Sequence, residues 1–181
     1  MGRTLTLRGS IEHTMQSPRS TEKLIFNYES PDRTRGWKVK GAWLWLSPQG
    51  NTITSNCNPL IIGALGTDSI LDGFPGVSIN KLASADDNRL FGWTQIHYRG
   101  FDALDYMVPH ASTPSSQSFL LDLNRIITNE LYLSVNGVAN NGLTAPWLAT
   151  FNYMIALEEV KISPTQSILQ QLKGIGQNID N

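Results

Sequence analysis

From Thr4 to Met15 the chain alternates with a period of two. Leu5, Leu7, Gly9, Ile11, His13 and Met15 stand at odd positions; Thr4, Thr6, Arg8, Ser10, Glu12 and Thr14 stand at even ones. A helix advances by about 100° per residue and would mix the two classes, whereas a strand sends successive side chains to opposite faces. The pattern therefore predicts a half-buried strand, with His13 a hydrogen-bonded residue of the apolar face.

The same grammar recurs along the chain. Strands are predicted at Lys23–Tyr28, Trp37–Leu46, Leu60–Leu65, Arg89–Arg99, Phe119–Leu123, Leu131–Val135 and Trp147–Leu157, with shorter candidates at Thr52–Ser55 and Val77–Ile79. In Trp37–Leu46 the spacing puts Trp37, Val39, Gly41, Trp43 and Trp45 on one face. In Trp147–Leu157 an apolar face carries Trp147, Ala149, Phe151, Tyr153, Ile155 and Leu157, and "EEVKI" prolongs the strand past a bulge. Turn-rich stretches separate these runs, including "ESPDRTRG", "SPQGN" and "NGVANNGLTAP". The expected fold is all-β: an antiparallel β-sandwich of jelly-roll type with about eight strands. An immunoglobulin-like sandwich would have shorter loops and a chain of about 100 residues.

With 181 residues the chain is long enough for one domain with a full core. The β-sandwich is assigned to residues 1–162 and a helical arm to residues 163–181. Charged residues make up 16 % of the chain, against about 25 % in a typical soluble domain. Gly41–Thr67 and Leu131–Leu157 contain no Asp, Glu, Lys or Arg. Two explanations fit: subunit interfaces, whose centres are depleted in charge, or buried strands joined by Asn, Ser and Thr loops. Cys57 is the single cysteine, so no internal disulfide forms. No apolar run approaches the length of a transmembrane helix. Gly2 and Thr6 match the myristoylation pattern, but the same residues fit the first strand.

No catalytic constellation is expected. His13, His97 and His110 are dispersed, no nucleophile-elbow motif occurs, and the adjacent Glu158 and Glu159 point to opposite faces of a strand. Asp86–Asp87–Asn88 and the group His97, Asp102 and Asp105 lack the ligand spacing of zinc or EF-hand sites; turn chemistry accounts for the former. No metal and no cofactor are therefore assigned. The tryptophans Trp37, Trp43, Trp45, Trp93 and Trp147 all fall on or beside apolar faces, which favours core packing over stacking on a sugar. Residues 1–40 carry eight Lys/Arg against four Asp/Glu. Arg33, Arg35, Lys38 and Lys40 form the densest basic cluster and the only candidate contact with nucleic acid.

The chain closes on "KISPTQSILQQLKGIGQNID". Ser163 is a good N-cap, Pro164 suits the first helical position, and Gln166 completes a capping box. Ile168, Leu172, Ile175 and Ile179 then follow at helical spacing, flanked by Leu169, making one apolar stripe on a polar helix. So short a helix needs a surface to pack against, its own sandwich or a neighbouring subunit.

In size, in its strand series from Leu5 to Leu157, in its uneven loops, charge-free segments and terminal extension, the chain resembles a viral single jelly-roll capsid protein. The resemblance implies a non-enzymatic structural virion protein that self-assembles as a homo-oligomer, in a closed shell, with other virion proteins as further partners. It implies location in the virion after assembly in the host cytoplasm, with Ile168, Leu169, Leu172, Ile175 and Ile179 as subunit contacts. A basic arm, common in such proteins, is missing, so genome contact would fall to Arg33–Lys40. Two other readings stay open: a carbohydrate- or receptor-binding sandwich on a spike or fibre, and a cupin-like jelly-roll enzyme.

Overall fold

The structure is a computed structural model that describes residues 2–15, 17, 19–28, 34–47, 58–70, 82, 85–99, 108–109, 118–140, 148–166 and 168–169. Among these residues nine strands follow in chain order: β1 (Thr4–Thr14), β2 (Thr21–Asn27), β3 (Arg35–Leu46), β4 (Asn58–Gly66), β5 (Leu90–Arg99), β6 (Val108–Pro109), β7 (Leu120–Leu121), β8 (Glu130–Asn140) and β9 (Leu148–Lys161). They form two antiparallel sheets, one ordered β1-β9-β3 and the other β2-β8-β4-β5-β6, with β7 also paired to β5. The outer edge of β3 is bridged at Trp43 by Ser118 and at Trp37 by Ile127, and between these two points β7 pairs with β5 of the larger sheet. The chain passes between the sheets from β1 to β2, β2 to β3, β3 to β4 and β8 to β9, and the order 1-9-3 facing 2-8-4-5 is that of a jelly roll. The predicted strands at Thr52–Ser55 and Val77–Ile79 lie outside the described residues.

The main core lies between the sheets. Phe151, Ile155 and Leu157 of β9 and Leu44 of β3 face Leu131, Leu133 and Val135 of β8 and Ile61 and Leu65 of β4. A smaller apolar cluster sits on the outer side of the larger sheet, where Ile70 and Leu82 cover Ile62, Ala64 and Leu90.

β3 departs from its predicted faces. Val39 pairs with Leu157 and Gly41 with Ala156, which leaves Lys40 as the extra residue of a β-bulge. Because side chains alternate with a period of two, one inserted residue exchanges the faces of everything after it. Trp37 and Val39 therefore point into the core, but beyond the bulge the inward residues are Ala42 and Leu44, while Trp43 and Trp45 stand half-exposed on the outer face. Deleting Lys40 would leave Val39, Gly41, Ala42, Trp43 and Leu44 in regular alternation with their present partners. The deletion variant should stay folded and lose no more than about 1 kcal/mol, the upper range for the exposed Lys40–Glu158 pair. Thermal unfolding measures this, and collapse of the variant would show that the bulge itself is required.

The charge-free segments also receive an explanation. Their described strands are β4, β8, β9 and the second half of β3; the first three are each flanked by a strand on both sides, whereas β3 stands at the edge of its sheet. β4 buries Ile61 and Leu65 on one face and Ile62 and Ala64 on the other. For β4 the shortage of charge reflects burial on both faces, while within these segments the outer faces of β9 and of the second half of β3 are free of charge and half-exposed.

Two boundaries moved. The stretch 136–140, expected as the start of a loop, continues β8, because β4 supplies backbone partners from Asn136 to Asn140. A Cβ at Gly137 would collide with the Met15 thioether, so glycine permits the close approach there. Strand β9 runs on to Lys161 without a bulge of its own; β3 carries the irregularity instead.

Candidate functional site

The capping box forms as the residue types require. The Gln166 backbone N–H donates to Ser163 Oγ (3.2 Å), and the Ser163 N–H donates to Gln166 Oε1 (3.1 Å). At residue 162 the chain still bonds the sandwich: the Ile162 N–H donates to the Thr34 carbonyl at 2.9 Å, and the Ile162 side chain is buried. Past it, Ile168 is 50 % exposed and Leu169 55 % exposed, so neither is covered by its own sandwich. Leu172, Ile175 and Ile179 lie outside the described residues.

The basic cluster is largely paired. Arg35 meets Glu159 at 3.1 Å and Lys40 meets Glu158 at 3.2 Å, both across the β3–β9 ladder. The two glutamates considered as an acid–base pair are thus partners of these cations. Lys38 lies opposite Glu158 in the register, and Arg33 lies outside the described residues.

His13 is fully buried between the sheets. Its Nε2 accepts the Gly137 N–H (3.1 Å), which assigns the ring proton to Nδ1, donating to Thr21 Oγ1 at 3.0 Å. Burial holds its pKa below the usual value. The imidazole therefore joins β1 of one sheet to β2 and β8 of the other. His97 is on the exposed outer face of β5, far in the register from His13; His110 and Cys57 lie outside the described residues. Among the described residues, no three acidic, histidine or cysteine side chains gather as a metal site. Asp87 is engaged by Arg89: the Arg89 Nη2 donates at 2.7 Å, the Nε at 3.0 Å and the backbone N–H at 2.9 Å. That hydrogen bonding raises the Arg89 pKa. Asp102 and Asp105 lie outside the described residues.

The tryptophans part company. Trp37 is buried, edge-on to Phe26 and Tyr28. Trp93 packs against the outer apolar cluster of the larger sheet. Trp43 and Trp45 lie on the outer face of the smaller sheet, contrary to a placement of all of them on core faces, and Trp147 lies outside the described residues. The register sets two rows across that outer face: Ser10, Asn152 and Trp45, then Arg8, Met154 and Trp43. A Cβ at Gly41 would collide with the tip of the Trp43 indole, so glycine makes room for that ring. Arg8, Ser10, Asn152, Met154 and Trp45 line a shallow open depression.

Sequence reasoning missed Glu22. It accepts hydrogen bonds from the Ile70 N–H (3.0 Å), from Ser134 Oγ (3.1 Å) and from Ser69 Oγ, tying β2 to β8 and to the turn after β4. No local pattern marks it, since all three partners are distant in the chain.

No family model matches this chain, and no curated protein matches it. Among solved structures it is similar to viral coat proteins. One is human polyomavirus 12 VP1 in complex with 3'-sialyllactosamine, at 9 % identity and a TM-score of 0.42 over 88 % of this chain and 99 % of that one. Others are turnip yellow mosaic virus (8 %, 0.38, over 90 % and 96 %) and the VP1 of trichodysplasia spinulosa-associated polyomavirus (9 %, 0.41, over 90 % and 96 %). At these identities and scores the jelly-roll assignment rests on the strand order itself.

Proposed function

We propose that this chain is a structural virion protein, a jelly-roll coat subunit that associates with further copies of itself through its C-terminal helix. The observation that carries the reading is the capped helix start after Ile162, where two large apolar side chains stand exposed instead of folding back on the sandwich. Exposed apolar side chains in a row fit a partner groove, read at helical spacing. In this reading Ile168 and Leu169 begin a contact stripe that Leu172, Ile175 and Ile179 continue, and a second copy of the chain receives it. The basic cluster plays a minor part in genome contact, because Glu158 and Glu159 neutralise two of its four cations.

Ile168→Asp tests the contact. Loss of about 2 kcal/mol at an anchoring position weakens each association about thirtyfold, enough to disperse an assembly. The isolated subunit should change by less than about 0.5 kcal/mol, since the side chain is exposed there. Light scattering and electron microscopy read the first effect, thermal unfolding the second. A wild-type protein that stays monomeric at every concentration and salt, or a variant that loses stability and association equally, would overturn the reading.

A further inference from the structure

We infer that the outer face of the β1-β9-β3 sheet binds a neutral saccharide, between Trp45 on β3 and Ser10 on β1. Strands β1 and β3 flank β9, so their side chains stand about 10 Å apart, two strand spacings, with Asn152 and Met154 as the floor between them. That width admits one pyranose ring. Trp45 offers a half-exposed indole, whose electron-rich face attracts the weakly positive C–H groups on the flat side of a sugar. Asn152 supplies an amide donor and acceptor and Ser10 a hydroxyl, all in the same row as Trp45, which suits the paired donor and acceptor character of sugar hydroxyls. Trp43, also half-exposed and one row away, adds a second indole to the same face.

The charge of this face selects among ligands. Stacking surfaces for single-stranded nucleic acid lie in positively charged grooves. Here Lys40 is paired with Glu158, and among the described residues lining the depression Arg8 is the single cation, so the face carries one positive charge and not a basic track. An uncharged ligand with many hydroxyls fits better than a polyanion. The flat faces of β-linked glucose or N-acetylglucosamine units present the C–H groups that the indole needs.

Titration of the full chain with cellotriose and with triacetylchitotriose, followed by tryptophan fluorescence and calorimetry, tests the site. At least one sugar should saturate with a Kd of about 1 mM or tighter. Trp45→Ala should weaken it at least about tenfold. Ser10→Arg, at an exposed edge position that leaves the core untouched, should do the same by filling the depression, with circular dichroism unchanged. Saturation by neither sugar, or binding that survives Ser10→Arg in the folded protein, would overturn the proposal. So would a thymidine oligonucleotide that binds in physiological salt and loses binding with Trp45→Ala, which would make this a nucleic-acid face. The outcome is independent of self-association, because neither substitution touches the C-terminal helix.

Discussion

Phe151→Ala should lower the unfolding free energy by about 3–5 kcal/mol, the range for truncating a fully buried aromatic residue. Phe151 is wholly buried near the start of β9, with Ile11 of β1 on one side in the register and Leu46 of β3 on the other. Strand β9 is the middle strand of the smaller sheet, so neighbours on both sides and the facing sheet hold the walls of any cavity apart. Collapse is thereby limited, and the cost should fall toward the upper part of the range. Denaturant titration measures it. A cost near 1 kcal/mol would show that the sandwich closes over the void and that its packing is looser than the burial implies.

Acidification should destabilise the protein through His13. In the unfolded chain the imidazole titrates near 6.5, and in the fold burial keeps its pKa below that. Between the two values the unfolded chain binds a proton that the folded chain does not, so unfolding becomes easier as pH falls. The contribution of neutral His13 is complete above about pH 6.5. It declines through the window below, by up to about 1.4 kcal/mol per pH unit, and levels off beneath the folded pKa. Protonation also turns Nε2 from acceptor to donor, which breaks the bond from the Gly137 N–H and places a charge between the sheets. Thr21 and Gly137 offer no negative charge to offset it, and no charged side chain contributes to the shift. Denaturation at pH 7.5 and 5.5 should show the loss in the wild type, and His13→Gln should flatten that slope. An equal slope in both proteins would assign the effect to other groups.

How much of this was legible beforehand depended on the range of the interaction involved. The alternation in Thr4–Met15 and in the run Ala149–Leu157 was readable because strand periodicity is a property of adjacent residues. The core role of His13 followed from its place in that alternation, although its partner Gly137 stands 124 positions away. The capping box was readable because Ser163 and Gln166 are three residues apart.

The alternation, the turns between the runs and the capped closing helix were therefore determined by the amino-acid sequence itself: an all-β sandwich with a helical extension. Tertiary structure decided which faces turned inward and which strands became central. Lys40 reads like any other residue of its strand until β9 pairs past it, and that one bulge moves Trp43 and Trp45 from the core to the surface. Arg35 and Glu159 look like members of separate clusters until the β3–β9 ladder sets them side by side across 124 positions. The two charge-free segments admitted either an interface or a core; β4 is buried on both faces, whereas the outer face of β9 stays half-exposed. A residue's period is local, but its neighbours in a sheet are chosen by the whole chain.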